Sequence, residues 1–185
     1  MTVGVLALQG CVDAHISILT QLGFKSTNVR EASDFKKIDR IILPGGESTT
    51  MLKLLARNNM EITFLDFAKS NPVWGICAGA ILIAKKVTHP EQRSFGLIDL
   101  HAIRNFYGSQ FDSFKAELEI PKLKIKHSVD FIRAPKLEAM SDKVSILASY
   151  KETPVLFQQG NILASSFHIE LGIETGLHAY FARLK

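Results

Sequence analysis

The sequence predicts a three-layer α/β/α fold with a largely parallel sheet and added antiparallel strands in its second half. In the first half, short apolar runs alternate with helical patterns, the order that builds a parallel sheet with helices on both faces. In the second half, short β-rich runs follow one another between turn residues. Because no linker, repeat or low-complexity tract interrupts the 185 residues, we expect a single domain covering 1–185.

The elements of the first half follow from apolar spacing. Gly23 is a plausible stop for the first helix, and Pro44-Gly45-Gly46 ends the third strand. Ser48 or Thr49 is a plausible cap for the second helix. In chain order we predict strand 3–8, helix 12–22, strand 26–29, a helical turn at 34–38, strand 40–43, helices 48–57 and 62–69, and a strand and a helix on either side of Cys77.

The second half of the sequence is predicted to form a series of strands followed by one helix. Gly160-Asn161 is predicted to form the tight turn before the last strand. The closing helix is predicted from an amphipathic pattern. In chain order these are strands 96–104, 116–120, 128–132, 144–148, 155–157 and 162–167, and helix 173–184.

Composition favours an ordinary globular protein of a reducing compartment. The net charge of +4 is mild, and the densest basic patch, Lys122, Lys124 and Lys126, has the alternate spacing of a solvated strand face, so we expect no nucleic-acid partner. The two cysteines lie far apart in sequence and give no disulfide framework. Without a bilayer-length apolar run or a signal-peptide pattern, we expect no membrane association and a cytoplasmic location.

The stretch from Pro72 to Ala84 contains the strongest chemical signal. Gly75 and Gly79 flank Cys77 in the cysteine counterpart of the G-x-S-x-G nucleophile elbow. We expect Cys77 at a surface turn between strand and helix, where the helix N–H groups receive an oxyanion and favour the thiolate. On this stretch alone, a buried structural cysteine at an ordinary junction stays an open alternative.

A cysteine nucleophile needs a base, and His168 is the best candidate. Glu170 follows it by two residues, and residues i and i+2 of an extended segment point to the same side. The carboxylate could therefore orient the imidazole, as in a catalytic triad. His15 and His178 lie in predicted helices and are interpreted as surface or packing residues, and the remaining histidines have no comparable carboxylate: His89, His101 and His127.

These residues belong to a longer pattern. The chain resembles class I glutamine amidotransferases, and within them the glutaminase subunits of pyridoxal 5'-phosphate synthase. The GGEST, RN…G-x-Q and IRAP blocks point to this vitamin B6 branch. The matching blocks span nearly the whole chain: 3–10, 43–50, 74–79, 104–105, 108–110, 113–114, 131–135 and 166–171.

The resemblance implies a flavodoxin-like domain that hydrolyses L-glutamine to L-glutamate and ammonia. Cys77 would attack the side-chain amide to give a γ-glutamyl thioester, His168 would move the proton, and Glu170 would hold His168. No metal or organic cofactor is implied. The ammonia would pass to a pyridoxal 5'-phosphate synthase subunit within a hetero-oligomer.

The same resemblance implies a glutamine site. Gly46 and Ala78 would supply the oxyanion hole, and a guanidinium suits the α-carboxylate of a free amino acid. Without the family, the two arginines would be read as surface ion-pairing residues. The implied glutamine-binding residues are Gly46, Glu47, Ser48, Arg104, Ile132 and Arg133.

Three positions depart from the family pattern. Ile169 replaces a usual proline, which removes a fixed φ angle, and we expect proline to be tolerated there. Lys115 reverses a charge on the side that the family pattern places near the synthase, and Cys11 follows the LQG block where alanine is common. These changes bear on partner fit more than on the chemistry.

Other functions remain open. The glutaminase could serve another synthase, such as the one in histidine biosynthesis, which shares the elbow and the H-x-E pattern. An idle regulatory module on the same fold is a second alternative. A cysteine peptidase on a related fold is disfavoured by the two candidate glutamine-site arginines.

Overall fold

The computed structural model describes residues 1–106 and 113–184. Short 3-10 helices cover Ala32–Lys37 and Pro121–Leu123. The helices are α1 (Val12–Gln21), α2 (Ser48–Arg57), α3 (Glu61–Ala68), α4 (Ala78–Ile83) and α5 (Gly176–Arg183). The strands are β1 (Thr2–Leu6), β2 (Lys25–Val29), β3 (Arg40–Leu43), β4 (Val73–Ile76), β5 (Ala84–Thr88), β6 (Ile98–Ile103), β7 (Ser113–Ile120), β8 (Ile125–Ile132), β9 (Lys136–Ala139), β10 (Ser145–Tyr150), β11 (Thr153–Gln159) and β12 (Ile162–Ser165).

The main sheet has the order β10-β11-β12-β4-β3-β1-β2. The five strands from β12 to β2 pair in parallel, whereas β10 and β11 add antiparallel pairs at one edge. The predicted fold class is therefore confirmed. Parallel strands covered on both faces are mostly apolar, and every residue of β3 and β4 is buried, including Arg40 of β3.

Side chains of the sheet alternate between two cores, which defines the three layers. On one face, Leu43 packs with α2, α3 and α4. On the other, Ile42 and Trp74 pack with α1 and α5. This arrangement leaves the carboxyl ends of β1, β3, β4 and β12 at one edge, where ligands of such sheets bind. None of the helices within the described ranges is long and apolar enough to cross a membrane.

Two strands, β5 and β9, were not predicted from the sequence. β5 starts directly at the end of α4, and β9 lies between two predicted strands; together with β6 they form a small separate sheet. Both are short and carry charged residues, so only their long-range pairing identifies them. The last helix begins at Gly176, three residues later than predicted, and Ile173 is 91% exposed.

The β7–β8 hairpin shows that the predicted strand face of Lys122, Lys124 and Lys126 is wrong. Lys122 lies in a 3-10 helix and Lys124 adopts a left-handed φ of +55°, so the lysine patch is a turn, with only Lys126 on a strand. The hairpin also makes a backbone bridge between Asp130 and His168. Residues 108–110 of the predicted family pattern lie outside the described residues.

Candidate active site

The turn between β4 and α4 has the predicted elbow geometry. Cys77 sits at φ +49° and ψ −101°, a strained conformation for a residue with a side chain. A Cβ at Gly75 would press on the backbone of Gly79, and a Cβ at Gly79 would overlap the carbonyl of Leu43. The two glycines therefore allow the sharp turn to pack against β3.

Cys77 is less accessible than expected of a surface turn. Only 7% of the residue is exposed, and its Sγ lies 4.0 Å from the carbonyl oxygen of Ile132. The reason is that the β7–β8 hairpin covers this end of the sheet. Cys77 thus lies at the bottom of a cavity rather than on an open surface.

His168 and Glu170 follow β12 and form a tight pair. His168 Nδ1 donates to Glu170 Oε1 at 2.7 Å, which leaves Nε2 for Cys77. The main chain of His168 is fixed by two hydrogen bonds with Asp130, at 2.7 and 2.8 Å. Ile169 N–H donates to Glu170 Oε2 at 3.0 Å, a bond that the usual proline could not make.

The electrostatics of the pair favour its charged form. Burial alone would lower the pKa of His168, but the hydrogen bonds and charges of Cys77 and Glu170 outweigh burial and raise this pKa to about 10. Burial alone would raise the pKa of Glu170, but the hydrogen bond from His168 and the charges of neighbouring histidines lower it to about 2. An imidazolium held by a carboxylate is the state that a proton donor next to a reactive sulfur requires.

A cavity of about 520 Å³ opens above Cys77. It is formed by the loops after β1, β3, β4, β8 and β12, with Arg104 just beyond β6. Glu170 lies behind His168, its side chain fully buried. All of the other predicted site residues line the cavity: Gly46, Glu47, Ser48, Cys77, Ala78, Arg104, Ile132, Arg133 and His168.

The loop after β3 fits closely against its neighbours. A Cβ at Gly45 would overlap the His168 ring, and a Cβ at Gly46 would overlap the side chain of Gln9. Gln9 Oε1 accepts the N–H of Glu47 at 2.8 Å. Gln9 lines the cavity. It falls within the family pattern at 3–10 and follows the carboxyl end of β1, where a ligand was expected, but it was not assigned a role in the site.

The polar rim of the cavity carries both signs of charge. Arg133, with φ +43°, places its guanidinium 3.6 Å from the Glu47 carboxylate. Since both side chains are more than half exposed, the ion pair is weak and open to exchange of partners. Ser48 Oγ donates to Gln92 at 2.8 Å. Cys11, also exposed, lines the same cavity.

Sequence reasoning missed two further histidines near the site. His15 and His178 are not surface residues: both are fully buried, as the packing alternative expected, and they are also hydrogen-bonded to each other. His15 faces Glu170 on the side away from His168. Their separation of 163 residues left no local signal that could have joined them.

The sequence is similar to curated subunits of one synthase. The chain is 43% identical over 184 residues to the pyridoxal 5'-phosphate synthase subunit PdxT of Francisella philomiragia, covering 100% of this chain and 99% of the relative. It is 44% identical to the PdxT of Solibacter usitatus, covering 97% and 96%.

Solved structures show the same fold. A crystal structure of a glutamine amidotransferase, 39% identical, superposes with a TM-score of 0.92 over 98% of this chain and 97% of that chain. A chain of PurLQS from Thermotoga maritima, 18% identical, shares the fold with a TM-score of 0.76 over 100% and 98%. The model of the SNO glutamine amidotransferase family matches residues 5–184. The chain therefore belongs to the SNO glutamine amidotransferase family.

Proposed function

We propose that this chain hydrolyses L-glutamine to L-glutamate and ammonia, with Cys77 as nucleophile, His168 as general acid and base, and Glu170 as the residue that orients His168. One observation carries the proposal: a cysteine on a strained strand–helix turn lines the same cavity as a histidine that is hydrogen-bonded from behind by a buried glutamate. The family supplies the reaction class, and the cavity supplies space for an amino acid.

The reaction begins when Cys77 Sγ attacks the side-chain amide carbon of glutamine. The carbonyl oxygen takes up negative charge, and the backbone N–H groups of Gly46 and Ala78 are the proposed donors to it, because preorganised donors stabilise charge as it develops. His168 protonates the amide nitrogen, the C–N bond breaks, and ammonia leaves a γ-glutamyl thioester. A water molecule then gives a proton to His168 and attacks the thioester, which releases glutamate and frees Cys77.

The remaining residues bind the amino-acid end of glutamine. Arg104 and Arg133 are the proposed partners of the α-carboxylate, since a guanidinium holds a carboxylate in a fork. Glu47 and Ser48 would take the α-ammonium, and Ile132 would form a wall. Because the Arg133–Glu47 ion pair is exposed, the two charges of the substrate can replace it at little cost.

We further propose that the ammonia passes to the synthase subunit of pyridoxal 5'-phosphate synthase in a cytoplasmic hetero-oligomer, with no metal or organic cofactor in this subunit. The support is the identity of the relatives, which are PdxT subunits of that synthase. One alternative is a glutaminase that serves another synthase. A second alternative is a catalytically inactive regulatory module on the same fold.

Reconstitution with a B6-type synthase subunit tests the proposal. The wild-type complex should form pyridoxal 5'-phosphate from glutamine or from an ammonium salt, whereas a Cys77→Ala complex should use only the ammonium salt. Glutamine hydrolysis should rise about 10-fold or more when the synthase is added, a fraction of the effect of one oxyanion donor, because one peptide flip in the Gly45-Gly46 loop can remove such a donor. If the isolated chain is already fully active, the proposed activation by the synthase subunit is wrong. If the Cys77→Ala complex is inactive with an ammonium salt, the proposed delivery of ammonia to the synthase is wrong.

A further inference from the structure

A buried histidine pair lies directly behind Glu170, the carboxylate proposed to orient His168. His15, on α1, and His178, on α5, are both 0% exposed, and His15 Nδ1 lies 2.8 Å from His178 Nε2. The indole ring of Trp74 makes T-shaped contacts with both imidazoles. The pair therefore has one fixed arrangement, set by three elements of the fold.

The free nitrogen of His15 faces Glu170. His15 Nε2 lies 3.8 Å from Glu170 Oε2 and has no hydrogen-bond partner within the described ranges. Oε2 also accepts the N–H of Ile169, whereas Oε1 accepts from His168. Each carboxylate oxygen thus has its own neighbours.

We propose that His15, oriented by His178, is a positioning residue that presents an N–H to Glu170 Oε2 and so holds the carboxylate against His168. This proposal rests on the proposed glutaminase function. A buried carboxylate needs donors around both oxygens, because unpaired burial of its charge is costly.

The direction of the hydrogen bond within the pair decides the argument. If His15 Nδ1 were the donor, the bare lone pair of His15 Nε2 would point at the carboxylate, and the two would repel. If His178 Nε2 donates to His15 Nδ1 instead, the proton of His15 sits on Nε2 and faces Glu170. Only the second arrangement is attractive, and it requires both rings to be Nε2–H tautomers.

The imidazoles of His15 and His178 are both neutral near pH 7. Burial lowers the pKa of His15 to about 4, against the opposing charge of Glu170. Burial likewise lowers the pKa of His178 to about 3. At 3.8 Å the contact is longer than a hydrogen bond, so His15 acts on Glu170 as an oriented dipole.

Variants of His15 in the complex with a B6-type synthase subunit test this role. His15→Leu removes the N–H, whereas His15→Gln retains an N–H donor on a side chain of similar reach. We expect His15→Leu to lower kcat for glutamine hydrolysis about tenfold, as expected for a lost interaction with a charged group, with little change in KM because His15 does not line the cavity. His15→Gln should recover most of the rate.

Two controls separate positioning from folding. Counting active sites with an electrophilic glutamine analogue normalises kcat to correctly folded protein. His127→Leu is the matched control, because His127 is also a buried histidine whose ring nitrogens have no hydrogen-bond partner among the residues that the structure describes, and it should keep the wild-type kcat. An unchanged kcat in His15→Leu, or an equal loss in His15→Gln, would overturn the proposal.

Nitrogen NMR of the unmodified chain gives a test that needs neither a variant nor activity. With ¹⁵N-labelled histidine near pH 7, His15 and His178 should both show the neutral Nε2–H tautomer. A proton on Nδ1 of His15 would overturn the proposal, even where His15→Leu fails to fold. If the wild-type complex does not hydrolyse glutamine, the proposed function fails, and the tautomer result still decides the geometry.

Discussion

Replacing Ile169 by proline tests how the structure holds Glu170. The sequence showed Ile169 where the family usually has proline, so we expected that proline would be tolerated at this position. The structure changes that expectation, because Ile169 N–H donates to Glu170 Oε2 at 3.0 Å and the Ile169 side chain is fully buried. Proline would remove the donor from a carboxylate that is shielded from water.

The expected loss of stability, relative to a valine control, follows from two contributions. A hydrogen bond to a charged group is worth about 1.5–3 kcal/mol, and proline returns about 0.4–1 kcal/mol by restricting the unfolded chain. Ile169→Val is the matched control, since valine and proline side chains each have one carbon fewer than isoleucine, a change of about 0.5–1.5 kcal/mol for Ile→Val. Ile169→Pro should therefore be roughly 1–2 kcal/mol less stable than Ile169→Val.

The assay is urea unfolding at several pH values. The pKa of Glu170 is lowered from 4.5 to about 2, so its ionised form stabilises the fold fully above about pH 4.5, and this contribution is lost as pH falls towards 2. Losing the Ile169 donor raises that pKa, so the gap between proline and valine should be constant near neutrality and narrow below pH 4.5. Equal unfolding midpoints at pH 7, or a gap that does not narrow with acid, would refute the reasoning.

Three further predictions address the nucleophile, the loop and the base. Cys77→Ala should fold and lose glutamine hydrolysis, and an electrophilic glutamine analogue should label Cys77 but not the more exposed Cys11; mass mapping to Cys11 would contradict the assignment. Gly45→Ala should displace the His168 ring and lower kcat about 10²-fold, as a 1 Å misplacement can. A wild-type kcat would show that the loop moves instead of the ring and would contradict the prediction. The pKa of His168 is raised from 6.5 to about 10, so its stabilising contribution is complete below pH 6.5, declines as pH rises, and is lost above 10. Urea midpoints of the wild type should therefore fall over this range more steeply than those of His168→Asn, and parallel curves would count against the ion pair.

Local patterns were sufficient for the parallel core and the elbow. The buried runs of β3 and β4 and the glycines around Cys77 each carry their signal within a few neighbouring residues. The pairing of His168 with Glu170 was predictable for the same reason, because two residues of an extended segment define their own geometry.

Features that depend on distant residues were not predictable. β5 and β9 are short strands that contain charged residues, and only their pairing with β6 identifies them as strands. The contact of His15 with His178 joins the two ends of the chain, and neither helix shows it. The burial of Cys77 depends on the β7–β8 hairpin, which closes over a turn that looks exposed in isolation.

The bridge between Asp130 and His168 has a consequence for altering this protein. It consists of two main-chain hydrogen bonds, so it specifies where His168 lies without specifying any side chain of the hairpin. The outward positions of β7 are exposed, while the inward ones are buried except for the half-buried Phe114. The outer surface of the hairpin can therefore be rewritten, by drift or by design, to suit a different neighbour while the backbone register keeps the histidine in place.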